Sequence, residues 1–222
     1  MKNEFYFQFF VTPEQLEYAS KLVDYSIKHH PVSDIFHNDP DGKSRQREFR
    51  FTGTLGEVVF ADAYQLERPS KSFGAIDGQD FGKDFMLNVG GKDYSFDIKT
   101  MGRKNNTFRE NYVLNLPNYQ MIRENVVTDY YFCISLHKNE NNLTVASFIG
   151  YVSKKEVMNG SVGILYKAGT TRIKDDGNRF MFMRDTYEVD FKDITAPFIT
   201  PRIKELDGFR IKNILPPYRI NQ

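Results

Sequence analysis

Residues 84–100 read DFMLNVGGKDYSFDIKT, and this stretch carries the clearest structural signal in the sequence. Two short runs of alternating apolar and polar residues flank Gly90-Gly91, a two-residue turn that favours a tight β-hairpin. If these glycines form the loop, Phe85 pairs with Phe96 and the apolar side chains share one face of the hairpin. The sequence therefore predicts two antiparallel strands with an apolar face and a polar face.

The polar face of this hairpin carries the charged residues Asp84, Asp97 and Lys99. In the predicted register Asp84 lies opposite Asp97, and Lys99 follows on the same face. Directly opposed residues have Cβ atoms ~5 Å apart, where like charges destabilise a sheet. A divalent cation is the simplest agent that neutralises two such carboxylates, and hard oxygen ligands suit Mg²⁺ or Mn²⁺. In the alternative interpretation Asp84 lies in a loop, and Asp97 and Lys99 line a solvated face. This alternative stays open because short motifs often match by chance.

The composition is that of a globular protein with one substantial core. The chain has 222 residues, of which 40% are hydrophobic and 27% charged. Because 30 Lys and Arg residues stand against 29 Asp and Glu residues, a DNA-binding surface must be a local basic patch. Cys133 is the only cysteine, which excludes an internal disulfide and a cysteine metal cage. No apolar run approaches membrane length, so we expect a cytoplasmic protein with no membrane partner.

Hydrophobic periodicity predicts strands and helices along the whole chain. The segment 12–15, Thr-Pro-Glu-Gln, is typical of a capped helix start. We expect one domain spanning residues 1–222, with a core at about 53–136 and a β-rich C-terminal elaboration of unassigned role at 140–222. The other predicted elements are strands at 5–11, 112–116, 129–136 and 143–152, helices at 55–67 and 117–125, and a helical turn at 153–156.

A candidate third carboxylate, Glu57, precedes the hairpin. Thr54 and Glu57 have the spacing of a capping box, in which two side chains satisfy backbone donors at a helix start. In the other interpretation Glu57 points toward the acidic face of the hairpin. The sequence leaves both interpretations open.

Taken together, Glu57, Asp84 and the triplet 97–99 resemble the PD-(D/E)XK nuclease superfamily, which includes many type II restriction endonucleases. The matching stretch runs from about residue 53 to residue 100, and the later predicted elements fit the αβββαβ core of that family. The resemblance implies an α/β fold with a restriction-endonuclease-like core, in which helices flank a central mixed β-sheet. Lys83 stands where the family has proline. Asp80 is a rival for the first aspartate, although the hairpin register favours Asp84.

The resemblance also implies an activity and a set of catalytic residues. Asp84 and Asp97 hold Mg²⁺, for which Mn²⁺ is a substitute, together with the carbonyl of Ile98. Glu57 holds an outer-shell water or a second ion, and Lys99 lies beside the attacking water. We therefore expect a type II restriction-like DNA endonuclease. Since a double-strand cut needs two active sites, we expect it to bind double-stranded DNA as a homodimer.

Two basic clusters flank this site in the sequence and are candidate contacts to phosphate groups. For any single residue in them, a solvated loop position is the simpler interpretation. The candidates are Lys43, Arg45, Arg47 and Arg50 before the site, and Arg103, Lys104 and Arg109 after it.

Three other functions fit the same residues. The first is a non-restriction DNase of repair, recombination or phage origin. The second is a catalytically inactive nucleic-acid-binding module with the same fold, and the third is a nuclease that acts on RNA. Metal-dependent cleavage, and the pattern of its products, would separate these functions.

Overall fold

A computed structural model describes residues 3–29, 42–70, 84–103, 112–123, 127–173 and 179–214 of the chain. It is a mixed α/β structure with a central six-stranded sheet of order β11-β1-β6-β5-β3-β2. Strands β3 and β5 are parallel, and the other neighbours are antiparallel. The predicted central mixed sheet is thus confirmed. Its strands are β1 (Phe5–Phe10), β2 (Phe85–Val89), β3 (Lys92–Gly102), β5 (Tyr130–Lys138), β6 (Thr144–Ser153) and β11 (Arg210–Asn213).

A second sheet of three strands covers one face of the central sheet. It has the order β4-β10-β7, formed by Val113–Pro117, Thr186–Asp190 and Ile164–Tyr166 respectively. Strand β4 was expected in the central sheet, so that prediction was wrong. Its buried residues Leu114 and Leu116 join an apolar cluster with residues of β5 and β10. The pairing between β4 and β10 joins segments about 70 residues apart, and local sequence pattern does not reveal it. A separate two-stranded ribbon consists of β8 (Thr171–Ile173) and β9 (Arg179–Met181).

Two long helices cover the other face of the central sheet. Helix α1 (Pro13–His29) has the predicted capping box. The Thr12 N–H donates to the Gln15 side chain at 2.9 Å, and the Gln15 N–H donates to Thr12 Oγ1 at 3.2 Å. Helix α2 (Gly42–Tyr64) packs on the sheet through a core that includes Phe60, Phe132 and Phe148. Three short helices complete the described structure: α3 (Asn118–Met121), α4 (Lys154–Met158) and α5 (Pro201–Lys204).

Helix α2 begins thirteen residues before the predicted start at Leu55 and ends at Tyr64, before the predicted residue 67. Polar contacts with α1 stabilise the added turns. Hydrophobic periodicity, on which the prediction depended, does not reveal such contacts. The guanidinium of Arg50 donates to Ser26 at 2.7 Å, and that of Arg47 donates to Ser20 at 2.9 Å.

The C-terminal part of the chain contributes to the central sheet as well as to the second one. Strand β6 lies between β5 and β1, and β11 forms an edge. The central sheet therefore extends beyond the predicted core at 53–136, and 140–222 is more than an elaboration. None of the described helices is long and apolar enough to cross a membrane.

Candidate active site

The hairpin that begins the site has the predicted register. Phe85 pairs with Phe96 at one end of the β2–β3 ladder, and Val89 pairs with Lys92 at the other. Gly90 and Gly91 have φ values of 61° and 82°. Two consecutive positive φ angles are what a type I′ turn requires, and glycine adopts them without steric cost. Local sequence therefore determines this part of the structure.

The ladder departs from the prediction at Asp84. Its backbone N–H donates to the carbonyl of Phe96 at 2.8 Å, and the regular pairing of β2 with β3 ends at Phe85 and Phe96. Asp84 is therefore a bend residue beside the end of the ladder. The Asp84 carboxylate accepts a hydrogen bond of 2.6 Å from the N–H of Ile98. Asp84 therefore contacts the residues on both sides of Asp97, and the predicted direct pair of Asp84 with Asp97 is not formed.

The N–H of Ile98 points to the edge of β3 at which Asp84 lies. In an extended strand the N–H and C=O groups of one residue point to the same edge, so the Ile98 carbonyl faces the edge where Asp84 lies. The ladder between β2 and β3 ends at Phe96, while β3 continues to Gly102 alongside β5. The two strands of the hairpin therefore separate at the point where Asp84, Asp97 and Ile98 meet.

Asp97 and Lys99 share a face of β3, as predicted. Lys99 Nζ lies 2.8 Å from Asp97 Oδ2, and the two side chains are 23% and 13% exposed. This pair is largely shielded from water, where charge interactions are stronger than at an open surface. An ammonium group is thus held beside a carboxylate at the end of the hairpin ladder.

Tyr131 belongs to this site, although its strand reads in the sequence only as buried core. It pairs with Asp97 across the parallel ladder, and its ring centroid lies 5.8 Å from Lys99 Nζ. The residue is 1% exposed, and its hydroxyl has no hydrogen-bond partner among the described residues. Burial, together with the charge of Asp97, raises the pKa of Tyr131. The phenol therefore stays protonated at neutral pH and can donate a hydrogen bond.

A polar chain connects Lys99 to two surface arginines, and sequence reasoning missed it. Gln120 Oε1 accepts from Lys99 Nζ at 3.4 Å, and Gln120 Nε2 donates to the Tyr119 hydroxyl at 3.1 Å. The guanidinium carbons of Arg184 and Arg123 lie 4.8 Å and 5.7 Å from the centroid of the Tyr119 ring. Arg184 lies two residues before β10, far along the chain, so no sequence spacing signals the group.

Glu57 does not form a capping box, because Thr54 lies well inside helix α2. Neighbouring Gly56 packs so closely on Thr100 that a Cβ atom there would overlap the threonine side chain. Thr100 faces α2, whereas Lys99 faces the other side of β3. Helix α2 therefore packs on the face of β3 opposite to the one that carries Asp97 and Lys99. Glu57 lies on this helix and is partly buried. Within the described ranges, no group of three or more His, Cys, Asp or Glu side chains could hold a metal ion.

The donor atoms at the end of the hairpin still suit a hard cation. The carboxylates of Asp84 and Asp97 and the carbonyl of Ile98 are all oxygen donors, the class that Mg²⁺ prefers. Asp80, the rival for the first position, lies outside the described residues. The three predicted ligands Asp84, Asp97 and Ile98 thus fit the ion in chemistry.

The predicted basic contacts have different surroundings. Arg50 is 9% exposed, and Arg103 donates to Ser135 at 2.8 Å and stacks on Tyr112 at 3.9 Å. Both arginines therefore have partners within the protein, and their contact with nucleic acid stays a prediction. Burial lowers the pKa of both guanidinium groups, which nevertheless stay charged. Arg45 and Arg47 lie on α2, where Arg47 also contacts Asp24, while the side chain of Lys43 and the whole of Lys104 and Arg109 lie outside the described residues.

Comparisons of the chain with protein-family models, with curated proteins and with solved structures gave no match.

Proposed function

We propose that this chain is a Mg²⁺-dependent DNA endonuclease with a restriction-endonuclease-like core. One observation carries the proposal. The Asp84 carboxylate is anchored on the N–H of Ile98, the residue between the ion-paired Asp97 and Lys99. Two acidic side chains, a backbone carbonyl and an ammonium group therefore converge where the hairpin strands separate.

The order of the elements supports the proposal. Helix α2 precedes the β2–β3 hairpin, and the chain then crosses over to β5, which lies parallel to β3. This order follows the αβββαβ core that the sequence resemblance implies, except that β4 pairs in the second sheet. Because β4 pairs in the second sheet, β3 with Asp97 and β5 with Tyr131 are direct neighbours in the central sheet.

The chemistry of phosphodiester hydrolysis suits these residues. A phosphodiester resists attack because negative oxygens surround the phosphorus atom and the alkoxide leaving group is poor. When bound at Asp84, Asp97 and Ile98, Mg²⁺ would polarise a phosphoryl oxygen and make coordinated water more acidic. The Lys99 ammonium favours the hydroxide form of a nearby water and offsets the negative charge that develops in the transition state. The protonated hydroxyl of Tyr131 is a further donor for a phosphate oxygen.

The polar chain connects Lys99 to two arginines at the surface. Arg123 and Arg184 are exposed and flank the ring of Tyr119. Guanidinium groups bind phosphate through paired hydrogen bonds and release counterions from DNA. Gln120 links Tyr119 to Lys99, so the proposed phosphate contacts and the ammonium group belong to one network of side chains.

A second candidate function is a catalytically inactive nucleic-acid-binding module with the same fold. Two observations favour it. Asp97 and Lys99 neutralise each other at 2.8 Å, and the described residues contain no three-ligand group for a metal. In that case the ion pair is structural, and only the arginines contact nucleic acid.

Digestion of supercoiled plasmid DNA with Mg²⁺ and with EDTA tests the proposal. The nuclease is expected to cut with Mg²⁺ and to be inactive in EDTA, and discrete bands would indicate a restriction-like enzyme. A smear would indicate a DNase of repair, recombination or phage origin. A parallel digest of RNA tests the ribonuclease alternative. Absence of metal-dependent cleavage on all substrates would favour the inactive module.

If the bands indicate double-strand cuts, the proposed oligomer is a homodimer with one site in each protomer. Sedimentation of the purified chain with cognate DNA would measure this directly. A complex in which a single protein chain binds one cognate DNA duplex would contradict the dimer.

A further inference from the structure

A cavity of about 630 Å³ opens at the end of the sheet where the parallel strands β3 and β5 begin. Its walls come from the hairpin tip, the start of β5 and the junction between β6 and α4. Small-molecule sites commonly have volumes of ~300–1,000 Å³. The cavity therefore has room for a ligand the size of a nucleotide, and its lining includes none of Asp84, Asp97 and Lys99.

The charge of this lining is positive. Lys92, Lys154 and Lys155 line the cavity, against one carboxylate, that of Asp129. The Asp129 carboxylate is already engaged, because it accepts hydrogen bonds of 2.9 Å from both the backbone N–H and the hydroxyl of Ser95. Burial lowers the pKa of Lys154, the neighbouring Asp129 carboxylate opposes this shift, and a bound anion would oppose it further. Three ammonium groups around one space favour a phosphate-bearing ligand.

Aromatic side chains form the apolar part of the same cavity. The rings of Tyr94 and Tyr130 are 5.6 Å apart and nearly perpendicular, and Lys92 Nζ lies 4.9 Å from the centroid of Tyr94. Tyr130 also stacks on Phe96 at 5.3 Å, which holds its ring in place. Phenol rings that are fixed by packing provide a surface for a planar heterocycle, because every nucleobase has a π face.

Backbone hydrogen bonds hold together the part of the cavity wall between the lysines and the tyrosines. The Asp129 N–H donates to the backbone carbonyl of Ser95 at 3.1 Å, and the Lys154 N–H donates to the carbonyl of Asp129 at 2.9 Å. These contacts connect β3, β5 and α4, so the cavity is formed before any ligand binds.

We propose that this cavity is a nucleotide-binding site, with the phosphate among Lys92, Lys154 and Lys155 and the base against Tyr94 and Tyr130. The nucleotide is either free or the phosphorylated end of a nucleic-acid strand, since the two share this chemistry. The site is independent of the proposed nuclease function, because none of its residues belongs to the catalytic group.

Equilibrium titration calorimetry of the full chain tests this site. The probes are AMP, adenosine and inorganic phosphate, followed by one oligonucleotide with a 5′-phosphate and the same oligonucleotide with a 5′-hydroxyl. AMP is expected to bind at least about tenfold more tightly than adenosine or phosphate, because each of these lacks one of the two recognised parts. Tighter binding of the 5′-phosphorylated oligonucleotide would identify a strand end as the ligand, and equal binding of both would identify a free nucleotide.

Charge reversal provides the matched variants. Lys92→Glu and Lys155→Glu change exposed side chains, and together they are expected to weaken AMP binding by about tenfold or more. Lys204→Glu makes the same charge change on exposed α5 and is expected to leave the affinity unchanged. If the double variant does not fold, Lys155→Glu alone supplies the comparison.

Three results would overturn the inference. The first is an absence of binding by AMP, and the second is binding of inorganic phosphate as tightly as AMP, which would indicate an adventitious anion only. The third is unchanged AMP affinity in the lysine variants. All of these are equilibrium binding results, so a chain that lacks nuclease activity would give the same answers.

Discussion

The carboxylate of Asp84 accepts a hydrogen bond of 2.6 Å from the backbone N–H of Ile98. A side chain thereby takes the place that a carbonyl of the neighbouring strand would occupy in a continuous ladder. The bond fixes Asp84 beside Asp97 and turns the Ile98 carbonyl toward the same edge. The proposed ion site depends on this one contact between a loop residue and a strand.

Two substitutions at Asp84 separate its structural role from its charge. Asp84→Asn keeps an oxygen that can accept from Ile98, so we expect little loss of stability and a loss of metal binding. Asp84→Ala removes the acceptor and is expected to lower the free energy of unfolding by about 1–2 kcal/mol. Urea denaturation of the two variants and the parent measures this difference. Equal destabilisation by Asn and Ala would show that this hydrogen bond does not stabilise the fold.

Lys99→Ala tests the catalytic ammonium group. We expect plasmid cleavage to fall by at least about 100-fold, as when other preorganised charge stabilisers are removed. DNA affinity in a gel-shift assay should remain close to that of the parent, because Arg123 and Arg184 are intact. Lys204→Ala, an exposed lysine on α5, is the control. A Lys99→Ala variant that cuts as fast as the parent would exclude Lys99 from the mechanism.

Tyr131→Phe tests the buried hydroxyl. That hydroxyl has no hydrogen-bond partner among the described residues, so its removal should change stability by no more than about 0.5 kcal/mol. If the phenol donates to a phosphate oxygen, cleavage should fall by about tenfold. Thermal unfolding and initial cleavage rates give the two readouts. A large loss of stability with an unchanged cleavage rate would assign Tyr131 to packing alone.

The pair Arg123 and Arg184 is expected to bind DNA phosphates. Replacing both by alanine should weaken DNA binding at low salt. It should also reduce the slope of log affinity against log salt by about 0.9 for each lost phosphate contact. Fluorescence anisotropy over a salt series measures the slope, with exposed Arg202→Ala as the control. A slope equal to that of the parent would show that DNA binds elsewhere.

Local sequence determines the hairpin of the candidate site and the start of α1. Gly90 and Gly91 require a tight turn, and the alternation on each side then sets the register of every pair from Phe85 to Phe96. The common face of Asp97 and Lys99 follows from the same alternation. These features could be predicted because they depend on residues that are close together in the chain.

Features formed by distant segments could not be predicted in this way. The position of Asp84 depends on a hydrogen bond of its side chain to the backbone of β3. The early start of α2 depends on contacts of Arg47 and Arg50 with α1. Tyr131 lies beside Asp97 because β5 is parallel to β3 and follows a crossover. The sequence also does not show whether the hydroxyl of a buried tyrosine has a hydrogen-bond partner.

Calorimetric titration with Mn²⁺ measures directly whether Asp84 and Asp97 bind a common ion, on which the proposed function depends. The parent chain is expected to bind Mn²⁺ with a saturable heat, and Asp84→Asn and Asp97→Asn are each expected to abolish that heat while the protein remains folded. Titration of Glu57→Gln should show a smaller loss, because α2 lies on the other face of the sheet. Unchanged Mn²⁺ binding in either asparagine variant would contradict the shared site.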